Sequence, residues 1–212
     1  MPILADYGCN EQEYIDQKKH KESPCPEVCL LCEERGSLIG HGYYQRKAQD
    51  GQRAYFIRVK RWRCKICHHT LSILPNFLFP HRHYLVRVIQ PVVVAIYECN
   101  QNWEQVTRSC AQQGTPGLRT MQRWCKAYAG YASGWLSRVQ TFLARQNSSS
   151  SWLDAQGEAS QAANAAIALL AASVHLLAWA KTEWVQLVGY GLKDRMRFLG
   201  LWGTEQGMGR LV

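Results

Sequence analysis

Hydrophobic and polar residues alternate along two stretches on either side of residue 50. Residues 41–46 and 54–62 contain β-branched and aromatic side chains interleaved with basic ones, and Asp50-Gly51 lies between them. This alternation is typical of half-exposed strands, and an Asp-Gly pair favours a tight hairpin turn. The pattern therefore predicts a β-hairpin that turns near residue 50.

Helical signals begin after the hairpin. Residues 84–98 are apolar on several faces, which predicts a buried helix that Pro91 either kinks or begins. Asn102 and Gln105 then have the spacing of a capping box. They predict a second helix over about 103–112.

A third helix is predicted immediately afterwards, with Thr115 as its N-cap and Pro116 at its first position, where the missing N–H is tolerated. Its residues fall into two neighbouring stripes at helical spacing. The apolar stripe is Leu118, Met121, Cys125 and Tyr128, and the polar stripe is Arg119, Gln122, Arg123 and Lys126. The pattern is that of an amphipathic helix with one basic face.

The C-terminal third differs from the rest of the chain in composition. Residues 147–151 are Asn followed by four Ser, which is typical of a flexible linker, and residues 162–180 contain no Asp, Glu, Lys or Arg. The apolar run is long enough to cross a bilayer, but it is rich in weakly apolar Ala and contains Asn164 and His175. A packed or self-associating helix is favoured, and no membrane span is expected.

Charge is distributed unevenly along the chain, although the formal net charge is +9. Residues 1–34 carry 3 Lys/Arg against 8 Asp/Glu, residues 35–82 carry 10 against 1, residues 83–146 carry 7 against 2, and residues 147–212 carry 5 of each. A concentrated basic block gains affinity for a polyanion by releasing counterions. The balance therefore indicates a nucleic-acid partner.

The nine cysteines include two C-x2-C pairs, Cys29/Cys32 and Cys64/Cys67, one on each side of the hairpin. Two such pairs supply four thiolates in a tetrahedral array, which predicts one structural zinc ion with no open coordination position. An odd number of cysteines, with no signal-peptide pattern at the start of the chain, favours a reducing compartment. One alternative remains open, in which Cys25, His68 or His69 replaces one of the four ligands.

Together the two predicted helices after residue 102 have the order of a helix-turn-helix, whose second helix fits the major groove of DNA. Arg can bind guanine and Gln can bind adenine in bidentate fashion there, while basic strand residues contact phosphates. The predicted DNA contacts are Arg58, Lys60, Arg61, Arg63, Lys65, Thr115, Arg119, Gln122, Arg123 and Lys126.

A wider pattern joins these features: the C-x2-C pairs, His41-Gly42-Tyr43, an Arg-rich strand, Leu74-Pro75-x-Phe77 and Arg123-Trp124. Residues 25 to about 130 resemble the zinc-ribbon plus helix-turn-helix proteins of bacterial insertion sequences and transposons, including transposase-associated DNA-binding subunits. The resemblance implies binding to element ends or to a promoter, in the cytoplasm and at the nucleoid of a bacterium.

The expected fold is α+β, with a small N-terminal zinc ribbon, a helix-turn-helix domain and a C-terminal helical region. The expected segments are a polar acidic arm (1–24), the ribbon (25–78), the helix-turn-helix domain (79–146), the Ser-rich linker (147–151) and the Ala/Leu-rich region (152–212). The last region is expected to join a second copy or a partner protein.

The leading functional hypothesis is a non-catalytic, zinc-stabilised protein that binds double-stranded DNA. The first alternative is an interaction or adaptor subunit of a larger nucleoprotein complex, and the second is a transposase or nuclease fragment using Asp154 and Glu158. Two-metal phosphoryl transfer needs more clustered carboxylates than this pair supplies, so catalysis is not expected. RNA also remains open as the ligand, because aromatic residues on exposed strands suit single strands. Those aromatics are Tyr43, Tyr44, Tyr55 and Phe56.

Overall fold

The computed structural model describes residues 2–109, 116–146, 162–184, 189–208 and 211–212. The fold is mixed α+β, as the sequence predicts, with 51% of the described residues in helices and 21% in strands or β-bridges. The strands lie in the N-terminal part of the chain and the long helices follow them. The predicted linker at 147–151 lies outside the described residues.

A single four-stranded sheet forms the N-terminal part. Its strands are β1 (Pro2–Ala5), β2 (Leu38–Gln49), β3 (Ala54–Cys64) and β4 (Thr70–Pro75), in the order β1-β4-β3-β2. β2, β3 and β4 pair antiparallel, whereas β1 pairs parallel with β4. The predicted hairpin is therefore confirmed, and two strands that the sequence analysis did not predict extend it into a sheet.

The hairpin turn is closed by Asp50. Its Oδ1 accepts the N–H of Gln52 at 2.8 Å and that of Arg53 at 2.6 Å. Gly51 has a φ of 100°, which disfavours any residue with a Cβ. The Asp-Gly signal thus marks the turn for a local reason that the sequence alone contains.

The first part of the chain packs against this sheet. Helix α1 (Glu11–Asp16) is capped by Asn10, whose side-chain oxygen accepts two backbone N–H groups of the first turn. The Glu13 carboxylate in turn accepts the backbone N–H of Asn10. Tyr14 is fully buried and its hydroxyl donates to the carbonyl of Arg58 at 3.0 Å. The segment that the sequence predicts to be a polar arm is therefore held against β3 by the buried side chain of Tyr14.

Five more helices follow: α2 (Val86–Tyr97), α3 (Trp103–Ser109), α4 (Leu118–Gln146), α5 (Ala162–Glu183) and α6 (Arg195–Glu205). Pro91 lies inside α2, as predicted for a helix over 84–98. The predicted capping box at α3 is confirmed, because Asn102 and Gln105 exchange hydrogen bonds at 2.8 and 2.9 Å.

Helix α4 differs from its prediction at both ends. It begins at Leu118, so Pro116 is not its first residue, and it continues for 29 residues to Gln146. The predicted apolar stripe is buried except Leu118, which is 42% exposed. The stripe continues at spacings of three and four, which explains the length: its later members are Ala132, Trp135, Leu136, Val139 and Leu143.

Helices α4 and α5 pack along each other at the centre of the largest hydrophobic core, which α2 and α6 complete. Residues Asn164–Glu183 of α5 are long and apolar enough to cross a bilayer, with a mean hydropathy of 1.5, but half of the most apolar window is buried inside the protein. The apolar character of α5 is thus accounted for by packing on α4.

Candidate metal centre and basic surfaces

The four cysteines of the two C-x2-C pairs meet at the end of the hairpin remote from its turn. The sulfur atoms of Cys29, Cys32, Cys64 and Cys67 all lie within 4.8 Å of one another. The Cys29–Cys67 sulfur distance is 3.7 Å and the Cys32–Cys64 distance is 3.6 Å. These four residues can hold one metal ion, as the sequence predicts.

The two pairs are held by the same local structure. The N–H of Cys29 donates to the carbonyl of Glu34, and the N–H of Cys64 donates to that of His69, both at 3.0 Å. The residue after each second cysteine is left-handed, with φ of 58° at Glu33 and 60° at His68. Each pair therefore forms one tight knuckle, and the two knuckles face each other.

Backbone donors and one hydroxyl favour the thiolate at two of the four cysteines. Ser37 Oγ lies 3.2 Å from Cys64 Sγ, and the N–H groups of Cys67 and Ile66 donate to the same sulfur at 3.5 and 3.4 Å. The Ser37 hydroxyl, more than these amides, lowers the pKa of Cys64 to about 6. The N–H of Leu31 similarly lowers the pKa of Cys29.

The other two cysteines behave differently. The N–H groups of Glu34 and His69 lower the pKa of Cys32 and Cys67, but burial and the neighbouring thiols outweigh them, so that both pKa values are raised. Because metals bind the thiolate form, metal binding at this cluster must displace the protons of Cys32 and Cys67.

The sulfur spacing fits a tetrahedral ion. Four thiolates at about 2.3 Å from a central zinc are separated by roughly 3.8 Å, close to the observed distances, whereas a disulfide requires about 2.05 Å. Neither Cys25 nor His68 nor His69 belongs to this group of ligand atoms. The geometry thus matches the four predicted ligands and none of the three alternatives.

The predicted basic residues of the hairpin do not form one uniform surface. Arg58, Arg63 and Lys65 are exposed, whereas Lys60 and Arg61 are half-buried. The Lys60 amine lies 4.5 Å from the ring centre of Tyr43, and the Arg61 guanidinium lies 5.9 Å from that of Tyr44. Since side chains alternate along a strand, Arg61 and Arg63 point to one face of the sheet, while Arg58 and Lys60 point to the other.

The predicted basic face of α4 is exposed along its first three turns. Arg119, Gln122, Arg123 and Lys126 are all exposed, whereas Met121, Trp124, Cys125 and Tyr128 on the opposite side are buried. Trp124 packs edge-on against Tyr84 with ring centres 5.1 Å apart, which fixes this end of the helix. Thr115, the predicted N-cap and phosphate contact, lies outside the described residues.

The knuckle tips expose apolar side chains that the sequence analysis did not single out. Leu30 is 41% exposed, Leu31 47% and Ile66 63%. All three are the middle residues of the C-x2-C pairs, so the signal was present in the motif itself. The candidate metal centre is therefore bordered by these exposed apolar side chains and by the exposed Lys65.

Comparison with known proteins adds one family. Residues 29–124 match the model of a domain of unknown function, DUF6431. The matched segment begins at the first metal ligand and ends within α4, so it includes both knuckles, the whole hairpin and Arg119 to Arg123. No curated protein and no solved structure matches the chain.

Proposed function

We propose that this protein is a non-catalytic, zinc-stabilised DNA-binding protein. The observation that carries the proposal is the first part of α4, where four side chains suited to DNA are exposed on a helix whose other face is buried. A helix anchored in this way can enter the major groove as a rigid element, with Arg119, Gln122 and Arg123 against base edges.

The arrangement of α3 and α4 supports a helix-turn-helix. Val106 of α3 is buried in the same core as Met121 and Trp124 of α4. Helix α2 packs against both α3 and α4 and so holds the two helices in one unit, as the helix-turn-helix proposal requires. The proposed role at the ends or promoter of a bacterial mobile element rests on the resemblance noted in the sequence alone.

Zinc is the proposed ion at the cysteine cluster. Four thiolates in a tetrahedral array are typical of structural zinc, and they leave no position for a reactive water. The ion fixes the open end of the hairpin, so that Arg63 and Lys65 are presented to phosphates from a rigid support. Arg58 lies on the opposite face of the sheet and would contact a different part of the nucleic-acid backbone. In this proposal the hairpin positions the protein and α4 reads the sequence.

A second candidate function is an adaptor subunit, and the exposed knuckle tips favour it. Leu30, Leu31 and Ile66 are apolar, exposed and carried by the two knuckles whose cysteines meet, and apolar side chains of this kind are typical of the centre of a protein interface. Self-association or partner binding through residues 152–212 stays a prediction. α5 buries only half of its most apolar window inside the protein, and Ile167 is 47% exposed. Asp154 and Glu158, the pair required by the enzyme alternative, lie outside the described residues.

The test measures zinc content and binding to random-sequence duplex DNA over a salt series. We expect one zinc per chain and a steep salt dependence. On random-sequence duplex, where no specific bases are offered, Arg119 and Arg123 should lie against phosphates, so Arg119→Ala/Arg123→Ala should reduce the slope of log K against log salt by about 1.8. Arg138→Ala/Arg145→Ala is the matched control, because both residues are exposed on the same helix but lie beyond its first turns.

Equal effects of the two double variants would contradict the assignment of the first part of α4. Zinc without measurable DNA affinity would overturn the DNA-binding proposal and favour the adaptor, whose partner binding should depend little on salt.

A further inference from the structure

A groove of about 310 Å³ lies between the N-terminal segment and the open face of the hairpin. One wall is α1 and the turn after it, and the other is formed by β2 and β3. Its lining residues are Tyr14, Ile15, Lys18, His20, Gln45, Phe56 and Arg58. The groove is distinct from both α4 and the cysteine cluster.

Phe56 is the unusual member of this lining. It is the third residue of β3, directly opposite Lys47 of β2, and 55% of its surface is exposed. Its neighbours Tyr55 and Ile57 are buried on the other face of the strand. A large aromatic exposed on a flat, basic strand face is typical of a platform for stacking a ligand ring.

The groove is positively charged. Lys18 and Arg58 line it, Lys47 flanks Phe56 across the hairpin, and no Asp or Glu occurs among the described residues that line it. His20 is affected by these charges: burial lowers its pKa, and the nearby Arg58, Lys21 and Lys18 lower the pKa further. An anionic ligand is therefore favoured.

A second aromatic extends the groove along the sheet. Tyr43 is 41% exposed, and the ring of His20 meets it edge-on at 5.1 Å. Lys60 lies over Tyr43 and pairs with it across the hairpin. Exposed aromatic and cationic side chains thus alternate on this face of the hairpin from Phe56 to Tyr43.

We propose that this groove binds an unpaired nucleotide of a nucleic-acid strand, with the base stacked on Phe56 and the adjoining phosphates at Lys18 and Arg58. The proposal rests on the proposed nucleic-acid-binding function and adds a second, single-strand site to it. Every base has a π-face, and a cationic groove follows the backbone, so single-stranded DNA and RNA share this chemistry. A paired base in a duplex cannot present its face to Phe56.

The experiment uses the full zinc-loaded chain and three labelled probes: a dT 12-mer, a U 12-mer and a 12-base-pair duplex. Phe56→Leu keeps an apolar side chain but removes the ring, so we expect affinity for both single strands to fall about 5- to 100-fold and duplex affinity to change less than twofold. Tyr131→Leu is the matched control, because Tyr131 is an aromatic 42% exposed on α4.

Lys18→Gln provides an independent variant. It should reduce the salt slope for the single strands by about 0.7, the value for one phosphate contact. Tighter binding of the U 12-mer would assign the groove to RNA, and equal or tighter binding of the dT 12-mer would assign it to single-stranded DNA.

Unchanged single-strand affinity in Phe56→Leu, or an equal loss in Tyr131→Leu, would overturn the inference while leaving duplex binding intact. Failure of wild-type protein to bind any of the three probes would instead overturn the proposed function itself.

Discussion

The two ends of this molecule are stabilised in different ways. The core at the cysteine end contains four buried residues, Cys29, Leu38, Cys64 and Leu71, and two of these belong to the cluster that can hold a metal ion. The helical core contains thirty buried residues among those described, from Phe79 to Val212. Apolar burial can stabilise the second core alone, whereas the first is too small to compensate for the entropy of ordering two knuckles.

One chain can therefore combine a part whose folding depends on a metal with a part whose folding does not. The knuckles present apolar and basic side chains close to solvent, which leaves little surface for burial. In the proposed zinc-bound form the ion replaces the missing core, because ligand binding to a site formed only in the folded state adds directly to folding free energy. The helices need no such ion.

Metal removal should therefore have the largest effect, and only at the cysteine end. Chelation, or Cys64→Ser, should abolish metal binding, for which structural zinc sites give about 10 to 16 kcal/mol. Hydrogen exchange followed by mass spectrometry should show loss of protection in residues 28–40 and 60–73. Protection in α4 and α5 should persist.

Cys25→Ser is the control for this experiment, because Cys25 is exposed and outside the cluster. Its metal content and protection should equal those of the wild type. Loss of protection throughout the helices on chelation would contradict the independence of the two parts.

The opposite result is expected from a change in the helical core. A Cβ at Gly203 would lie 2.0 Å from the Trp135 ring, so that one of them must move. Gly203→Ala should lower the free energy of unfolding by about 1 to 3 kcal/mol, as overpacking does, without altering metal content. Urea unfolding monitored by circular dichroism measures the loss.

Gly134→Ala supplies the matched control, since Gly134 lies in α4 with open space where its Cβ would be. It should raise helix stability by about 0.5 to 1 kcal/mol. If both variants were equally stable, close packing of Gly203 on Trp135 would be refuted.

The features that the sequence predicted correctly are those with local signals. The C-x2-C spacing, the Asp50-Gly51 turn and the Asn102/Gln105 capping box each depend on residues at most five apart. Each signal is a short-range geometric requirement, so it survives without knowledge of the rest of the chain. The metal ligands therefore came directly from the sequence.

The features that were missed depend on distant partners. β1 is a strand because Ile3 pairs with Ile73, 70 residues away, and four residues have too little pattern to reveal this. Burial of Tyr14 similarly depends on β3. The groove beside Phe56 forms only when these segments pack together. The sequence therefore showed the aromatic residue itself, but not the cationic residues that surround it in the fold.

The smallest effect concerns an ion pair that joins α6 to the residue that follows α2. Glu98 accepts two hydrogen bonds from the guanidinium of Arg195, one of them 3.1 Å long. The Arg195 side chain is 4% exposed and that of Glu98 is 44% exposed. Removing the carboxylate leaves a buried cation without its partner, although solvent at Glu98 screens the pair.

Glu98→Gln should therefore destabilise the protein by about 1 kcal/mol at pH 7, with zinc bound. Arg195 lowers the pKa of Glu98, so the stabilisation is present above the unfolded pKa of about 4.3 and disappears as pH falls through the folded value. Urea midpoints at pH 7, 5 and 3.5 should show a difference from the wild type that is equal at pH 7 and 5 and smaller at pH 3.5. Glu104→Gln, which breaks the solvent-exposed pair with Arg108, should change stability by less than about 0.5 kcal/mol at every pH. A deficit in Glu98→Gln as large at pH 3.5 as at pH 7 would show that the shape of the side chain, rather than its charge, joins these helices.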